Sequence, residues 1–285
     1  MQRAKPRAYR RRFGFRTKCS ANALIHRRRH ETSNGSLRIE RPMRKLFVRA
    51  LRKAARTIAG DPPPPIEIAD EFVTWLCFAN AGMLDRGNVF LMDYAIAHLP
   101  SDAPMLEIGS FCGLSTNIIN YLKHKHNCIN SLFTCDKWEF ENRKTTHVGD
   151  STVSFERYKD FVRDSFFRNV QTFSQDDLPF TIEAFSDEFF NLWHQNKTVH
   201  DVFARPIPLG GPLSFCYIDG NHTYEGVKAD FENCDTFLQT GGFILFDDSV
   251  LERFGVRRLM PEVLATGRYK LVAQNPNHLF QKMDR

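Results

Sequence analysis

From residue 66 onward, short apolar runs alternate with longer stretches whose apolar residues recur every three or four positions. The short runs have the length of buried strands, and the longer spacing is that of amphipathic helices. Helices are expected over Ile68–Ala81 and Gly87–Leu99. A strand over Met105–Ile108 then leads through a glycine-bounded loop, Gly109–Gly113, into a helix over Leu114–Leu122. Further on, strands are expected over Ser131–Cys135 and Phe180–Ala184, with helices over Phe155–Phe167 and about Asp187–Trp193. Lys197–Pro212, rich in proline and glycine, is expected to be a loop or lid. A fourth strand spans Phe215–Ile218, a helix Tyr224–Leu238, and Gly241-Gly242 forms the turn into a fifth strand, Phe243–Phe246. A helix near Phe254–Ala265 and two terminal strands, Tyr269–Ala273 and His278–Lys282, joined by the turn QNPN, complete the chain.

Strands that alternate with helices predict an α/β fold: a Rossmann-like, doubly wound, mainly parallel sheet. The terminal pair adds an antiparallel C-terminal edge. Such sheets bind ligands at the carboxyl ends of their strands, where the strand order reverses. Asp136, Asp219, Asp247 and Asp248 each end a predicted strand, so the pattern gathers four carboxylates on one edge.

Charge separates this region from what precedes it. The net charge of +6 conceals an uneven split: residues 1–60 hold 19 of the 39 Lys+Arg and 2 of the 33 acids, leaving 20 and 31 for residues 61–285. An acidic domain over 61–285 thus follows a basic N-terminal arm over 1–60. The arm reads as partly disordered, with one basic amphipathic helix at 41–59. A solvated tail, a transit peptide, a grip on nucleic acid or anionic lipid, and an overlong gene start all remain open for it. Helix 41–59 is also a candidate for contact with a membrane surface. Asp61 and the prolines 62–65 then form a stiff linker. Seven scattered cysteines with no CxxC pair argue for reduced thiols rather than a disulfide frame or a zinc site, and for a cytoplasmic protein.

The loop after the first strand reads EIGSFCG. Phe111 stands where a dinucleotide-binding loop has its second glycine, the one that admits a pyrophosphate. A ligand without a pyrophosphate is expected. Two later stretches, YIDGNHTYEGVKADF and GGFILFDDS, place Asp219, Asn221 and His222 after the fourth strand, and Asp247-Asp248 after the fifth. Together with Glu107, Gly109, Gly113 and CDKWE at Cys135–Glu139, they resemble class I S-adenosylmethionine-dependent methyltransferases, in particular the metal-dependent sugar O-methyltransferases of macrolide and aminocoumarin biosynthesis. The resemblance runs from about Ala103 to the C-terminus.

The resemblance implies a cofactor site at Glu107, Gly109, Ser110, Phe111, Gly113 and Asp136, the last on the ribose hydroxyls, with Asp219 at its edge. It implies Mg²⁺ held by Asp219, Asp247 and Asp248, a hard cation on oxygen ligands. His222 would be the general base, with Asp219 beside it, in methyl transfer to a hydroxyl of a sugar or other small polyhydroxylated acceptor. Trp138 is a candidate to stack on adenine, or else a core aromatic. Ser186 and Asp187 are candidates for the adenine amino group, or else a helix start. Asp219 and Asp248 each have an ordinary alternative as helix caps. Two other functions stay open: a metal-independent methyltransferase that grips nucleic acid with the arm, and a non-catalytic binding protein that keeps the fold.

Overall fold

The structure, a computed structural model, describes residues 64–140 and 146–284. They belong to a unit that spans Pro63–Arg285. The arm over residues 1–60, with the helix expected at 41–59, lies outside the described residues.

Two helices lead in, α1 (Glu71–Ala79) and α2 (Arg86–Ala97). Asp70 and Asp85 cap them, each carboxylate accepting a first-turn backbone N–H, from Val73 and Gly87 respectively. Then follow β1 (Met105–Ile108), α3 (Leu114–Lys125), β2 (Leu132–Cys135), α4 (Phe155–Phe173), β3 (Phe180–Ile182) and α5 (Ser186–His194). A small hairpin, β4 (Thr198–His200) and β5 (Pro206–Pro208), precedes β6 (Leu213–Ile218), α6 (Tyr224–Phe237), β7 (Leu238–Phe246), α7 (Val256–Ala265), β8 (Tyr269–Gln274) and β9 (His278–Lys282).

The main sheet has the order β3-β2-β1-β6-β7-β9-β8. The first five strands are parallel, β9 runs antiparallel to β7, and β8 closes the edge. The expected architecture is therefore present. The chain winds outward from β1 to β3 and restarts at β6, so the strand order reverses between β1 and β6. Every residue of β6 is buried because both sheet faces are covered. Phe215 and Tyr217 pack toward α1–α3, and Cys216 and Ile218 toward α5–α7. No described helix is long and apolar enough to cross a membrane.

Two local expectations differ from what folds. Lys197–Pro212 is a pinned hairpin, not a free loop or lid. Asp201 accepts the N–H groups of Phe203 and Arg205 and pairs with the Arg205 guanidinium, which also donates to the carbonyls of Leu178 and Pro179. The prolines that suggested a loop sit at both ends of β5, in a two-stranded sheet that needs no N–H from them. Likewise Gly241-Gly242 lies inside β7 rather than before it. Gly241 takes φ +83° where the pairing with β6 shifts register, so the glycines make an irregularity in the strand.

Candidate active site

The glycine loop and the strand-end acids meet at the reversal point. Gly109 follows β1 at φ +86°, and a Cβ there would lie 2.1 Å from the carbonyl oxygen of Asp219. Only glycine permits that approach. Asp219 in turn donates its N–H to Ile108, 2.8 Å away, which locks the end of β6 to the end of β1. Phe111 also has positive φ, at 45°, and Gly113 (φ +85°) is the N-cap of α3.

Asp136 holds this loop in shape. Its Oδ2 accepts the N–H groups of Ser110 (2.8 Å) and Phe111 (2.9 Å), and its Oδ1 that of Trp138 (2.6 Å). A carboxylate offers about four acceptor positions, so roughly one remains. Asp136 thus staples the loop, and the expected contact with the ribose hydroxyls has only that remaining position to use. Glu107 is different. It is fully buried, Oε2 accepts from Thr116 at 2.5 Å, and Oε1 has no partner among the described residues. The hydroxyl of Ser110 is likewise buried without a hydrogen bond of good geometry, although the hydroxyls of Ser115 and Ser110 lie near enough to favour the charged Glu107 carboxylate. Burial pushes the Glu107 carboxyl up to about 7.

Trp138 is packed as a core aromatic. It is 2% exposed, packed on Phe166 and Phe167, and its Nε1 donates to the carbonyl of Phe111 at 3.0 Å. Its core reading holds over adenine stacking. Ser186 opens α5, and exposed Asp187 accepts the N–H of Glu188 at 2.9 Å, so the helix-start reading describes this pair.

On the β6–β7 side, neither acid is a helix cap. Thr223 caps α6 and Gly255 precedes α7. Asn221 accepts the N–H of Thr223 and covers Gly226, so it shapes the turn. Half-buried His222 lies between two carboxylates: its Nε2 is 3.0 Å from Asp248 Oδ2 and 3.7 Å from Asp219 Oδ1. These two partners raise the imidazole's proton affinity well above the usual histidine range. Burial and the charge of Asp247 push the Asp219 carboxyl up as well. The cluster therefore retains a proton at neutral pH. Phe254 packs on the His222 ring at 4.6 Å, and Gly255 donates its N–H to the His222 carbonyl, so the loop after β7 fixes the imidazole.

Asp247 points inward instead. Its Oδ1 accepts from Asn88 Nδ2 (2.9 Å), Asn277 Nδ2 (2.6 Å) and the N–H of Asp248 (2.7 Å), and its Oδ2 from the Tyr217 hydroxyl (2.7 Å). Three donors crowd Oδ1 and one reaches Oδ2, which keeps an acceptor position. Tyr217 opens the YIDGNH stretch and Asn277 closes the QNPN turn, but neither motif announces a contact with Asp247, and Asn88 lies in no motif. No group of three or more His, Cys, Asp or Glu among the described residues forms a ready metal site. In the expected Mg²⁺ set of Asp219, Asp247 and Asp248, the middle carboxylate is already held by four donors, three on Oδ1 and one on Oδ2, so Oδ2 is the oxygen left with an acceptor position.

Residues 106–249 match a family described as a methyltransferase domain. The match spans half of the chain, from β1 through the acids after β7. The chain belongs to this methyltransferase family. Among solved structures, the methyltransferase is similar to an O-methyltransferase from Bacillus cereus in complex with S-adenosylhomocysteine. The two share 13% identity with a TM-score of 0.50, over 82% of this chain and 97% of that one. It is also similar to the O-methyltransferase NovP (16% identity, TM-score 0.49, 85% and 99% covered). A third is TomG from Streptomyces achromogenes, solved with S-adenosylmethionine (13%, 0.49, 82% and 96%). No curated protein matches the sequence significantly. This is a class I, S-adenosylmethionine-dependent methyltransferase. The loop fits that cofactor: Glu107 Oε1 and Ser110 Oγ are buried polar atoms that a bound group with donors would satisfy.

Proposed function

We propose that the methyltransferase transfers a methyl group from S-adenosylmethionine to a hydroxyl of a small polyhydroxylated acceptor, a sugar in the reading the sequence resemblance favours. The cluster of Asp219, His222 and Asp248 takes the hydroxyl proton. One observation supports this above the others: the loop residue Gly109 lies directly against Asp219, so a group held by the loop has the proton-accepting cluster beside it. The cofactor when bound supplies an activated methyl on a sulfonium, so the protein's part is alignment and proton removal.

His222 is the proposed general base, and Asp219 and Asp248 hold and orient it. Its raised proton affinity has a consequence for pH. An imidazole must be neutral to accept a proton. Turnover should therefore climb through the alkaline range, where His222 loses its proton, rather than level off near pH 7. Once His222 has lost its proton, the carboxylates leave the cluster negative, which suits a cationic sulfur nearby. The alternative that grips nucleic acid depends on the basic arm, which lies outside the described residues.

Calorimetry with S-adenosylhomocysteine, with and without Mg²⁺, tests the cofactor half. Binding that Mg²⁺ leaves unchanged is expected, and no binding in either condition overturns it. For the acceptor half, release of S-adenosylhomocysteine is followed over a panel of sugars, nucleotide sugars and RNA. Turnover with RNA alone would reject a hydroxylated small molecule as substrate.

A further inference from the structure

Asp247 is buried where four stretches distant in sequence converge. Asn88 comes from α2, Tyr217 from β6, Asn277 from the turn between β8 and β9, and Asp247 itself ends β7. Around its carboxylate each amide is used. Asn277 Nδ2 also donates to Asn88 Oδ1 at 3.0 Å, and Asn277 Oδ1 accepts the N–H of Ser249 at 2.9 Å and its hydroxyl at 3.2 Å. The start of α2 is pressed onto the same turn. A Cβ on Gly87 would lie 2.0 Å from the carbonyl oxygen of Asn275, and Asn275 Nδ2 donates to the carbonyls of Ile66 and Gly87. Such densely bonded buried networks are rigid, and removing one member leaves others unpaired at high cost.

The network has an output. Asp247 Oδ1 accepts the N–H of the very next residue, Asp248, whose φ is +51°. That left-handed conformation is unfavourable for a residue with a side chain and persists only where its surroundings enforce it. In this conformation the Asp248 carboxylate sits 3.0 Å from His222 Nε2. Asn88 and Asn277 both fall outside the family match at 106–249, so the clamp is built from this chain's flanking segments.

We propose that Asp247 is a positioning residue and not a metal ligand. Asn88, Asn277 and Tyr217 fix its carboxylate, and that carboxylate holds Asp248 in the strained backbone state that aims it at His222. Its importance for turnover rests on the proton-accepting role proposed above for His222, but the clamp itself is tested without turnover.

The readout is the ¹⁵N resonance of the His222 imidazole in the full chain, assigned by its loss in His222→Gln. Asp248→Asn sets the size of the shift when the ion pair is lost. Asp247→Asn and Asn277→Ala should each move the resonance in the same direction, and Asp247→Asn added to Asp248→Asn should move it no further. An unmoved resonance in Asp247→Asn and Asn277→Ala would overturn the proposal. If Asp247→Asn fails to fold, Tyr217→Phe removes one donor while keeping the ring. A smaller shift in the same direction is expected, and no shift overturns the clamp. Calorimetry with Mg²⁺ alone gives the opposing result: Mg²⁺ binding to the unaltered chain that Asp247→Asn abolishes and Asn277→Ala preserves would make Asp247 a ligand after all. A correct clamp with an inert His222 would instead show the shifts while His222→Gln leaves turnover intact, so the two readings fail separately.

Discussion

On the β1–β2 side of the rim, buried polar atoms lack hydrogen bonds; on the β6–β7 side, Asp247 is held by four donors. Glu107 Oε1 and Ser110 Oγ are unsatisfied beneath the glycine loop. Across the reversal point, Asn88, Asn277, Tyr217 and the Asp248 N–H hold Asp247. Buried polar groups are rarely left unpaired, so a gap marks where something else supplies the partner, and dense bonding marks scaffolding. In the proposed function, the first side is where a ligand with donors binds. The second is a prebuilt charge arrangement, in which Asp219, His222 and Asp248 are half-buried and poorly saturated while Asp247 carries their geometry. Four strand-end acids that look alike in sequence thus divide into two staples, Asp136 and Asp247, and two open groups, Asp219 and Asp248.

The contact that joins the two sides is the most sensitive point. Gly109→Ala combines positive φ with a Cβ 2.1 Å from a backbone oxygen that has no room to yield. Strain and overpacking together should cost about 3 kcal/mol or more. Denaturant unfolding should show that loss, and calorimetry should show S-adenosylhomocysteine binding lost with it. Retention of both would mean that the two sides are not mechanically joined. His222→Gln should separate them chemically: turnover falls by roughly 10²–10⁴-fold if general base catalysis is lost, while S-adenosylhomocysteine affinity stays within about threefold. A parallel loss of affinity would assign His222 to the receptor side.

The two adjacent acids should then diverge. Asp247→Ala leaves Asn88, Asn277 and Tyr217 without their acceptor, and each buried orphan costs about 1–3 kcal/mol. A total loss near 3 kcal/mol or above is expected in denaturant unfolding. Asp248→Ala removes a half-exposed partner of His222 and relieves a positive φ only in part; its stability cost should stay below about 1 kcal/mol, with turnover reduced. Equal stability losses would contradict the division into staple and open group.

How much of this was legible beforehand follows from the range of each interaction. Apolar periodicity is local, and it fixed the strand and helix order, including the exact bounds of β1 and β9. It also placed all four acids at strand ends, because a strand's end in sequence is its end in space. What a carboxylate does there depends on residues 30 to 159 positions away, such as Tyr217 and Asn88 around Asp247. No spacing rule reaches that far. Trp138 was equally ambiguous: its burial depends on Phe166 and Phe167 of α4, whose packing is a tertiary fact. The hairpin at β4–β5 was missed because prolines signal loops, and only Arg205 gripping Asp201 and two distant carbonyls holds it.

The last expected effect sharpens the receptor side through pH. Glu107 has its carboxyl raised to about 7 in the folded chain by burial, against an unfolded value near ~4.3. The folded state thus binds this proton more tightly than the unfolded state. Its contribution is fully present below the unfolded value and is lost as pH rises toward and through about 7. Glu107→Gln stays neutral throughout, so it should gain on the unaltered chain between about pH 5 and 8, by on the order of 1–3 kcal/mol. If the carboxylate also answers a cationic donor on the cofactor, the same variant should bind S-adenosylhomocysteine more weakly at pH 8 than the unaltered chain. At pH 5.5, where both are neutral, the difference should shrink. A variant more stable at high pH yet undiminished in binding would leave Glu107 as a buried acid with no part in the receptor, and the unpaired Ser110 hydroxyl would then be the group to substitute next.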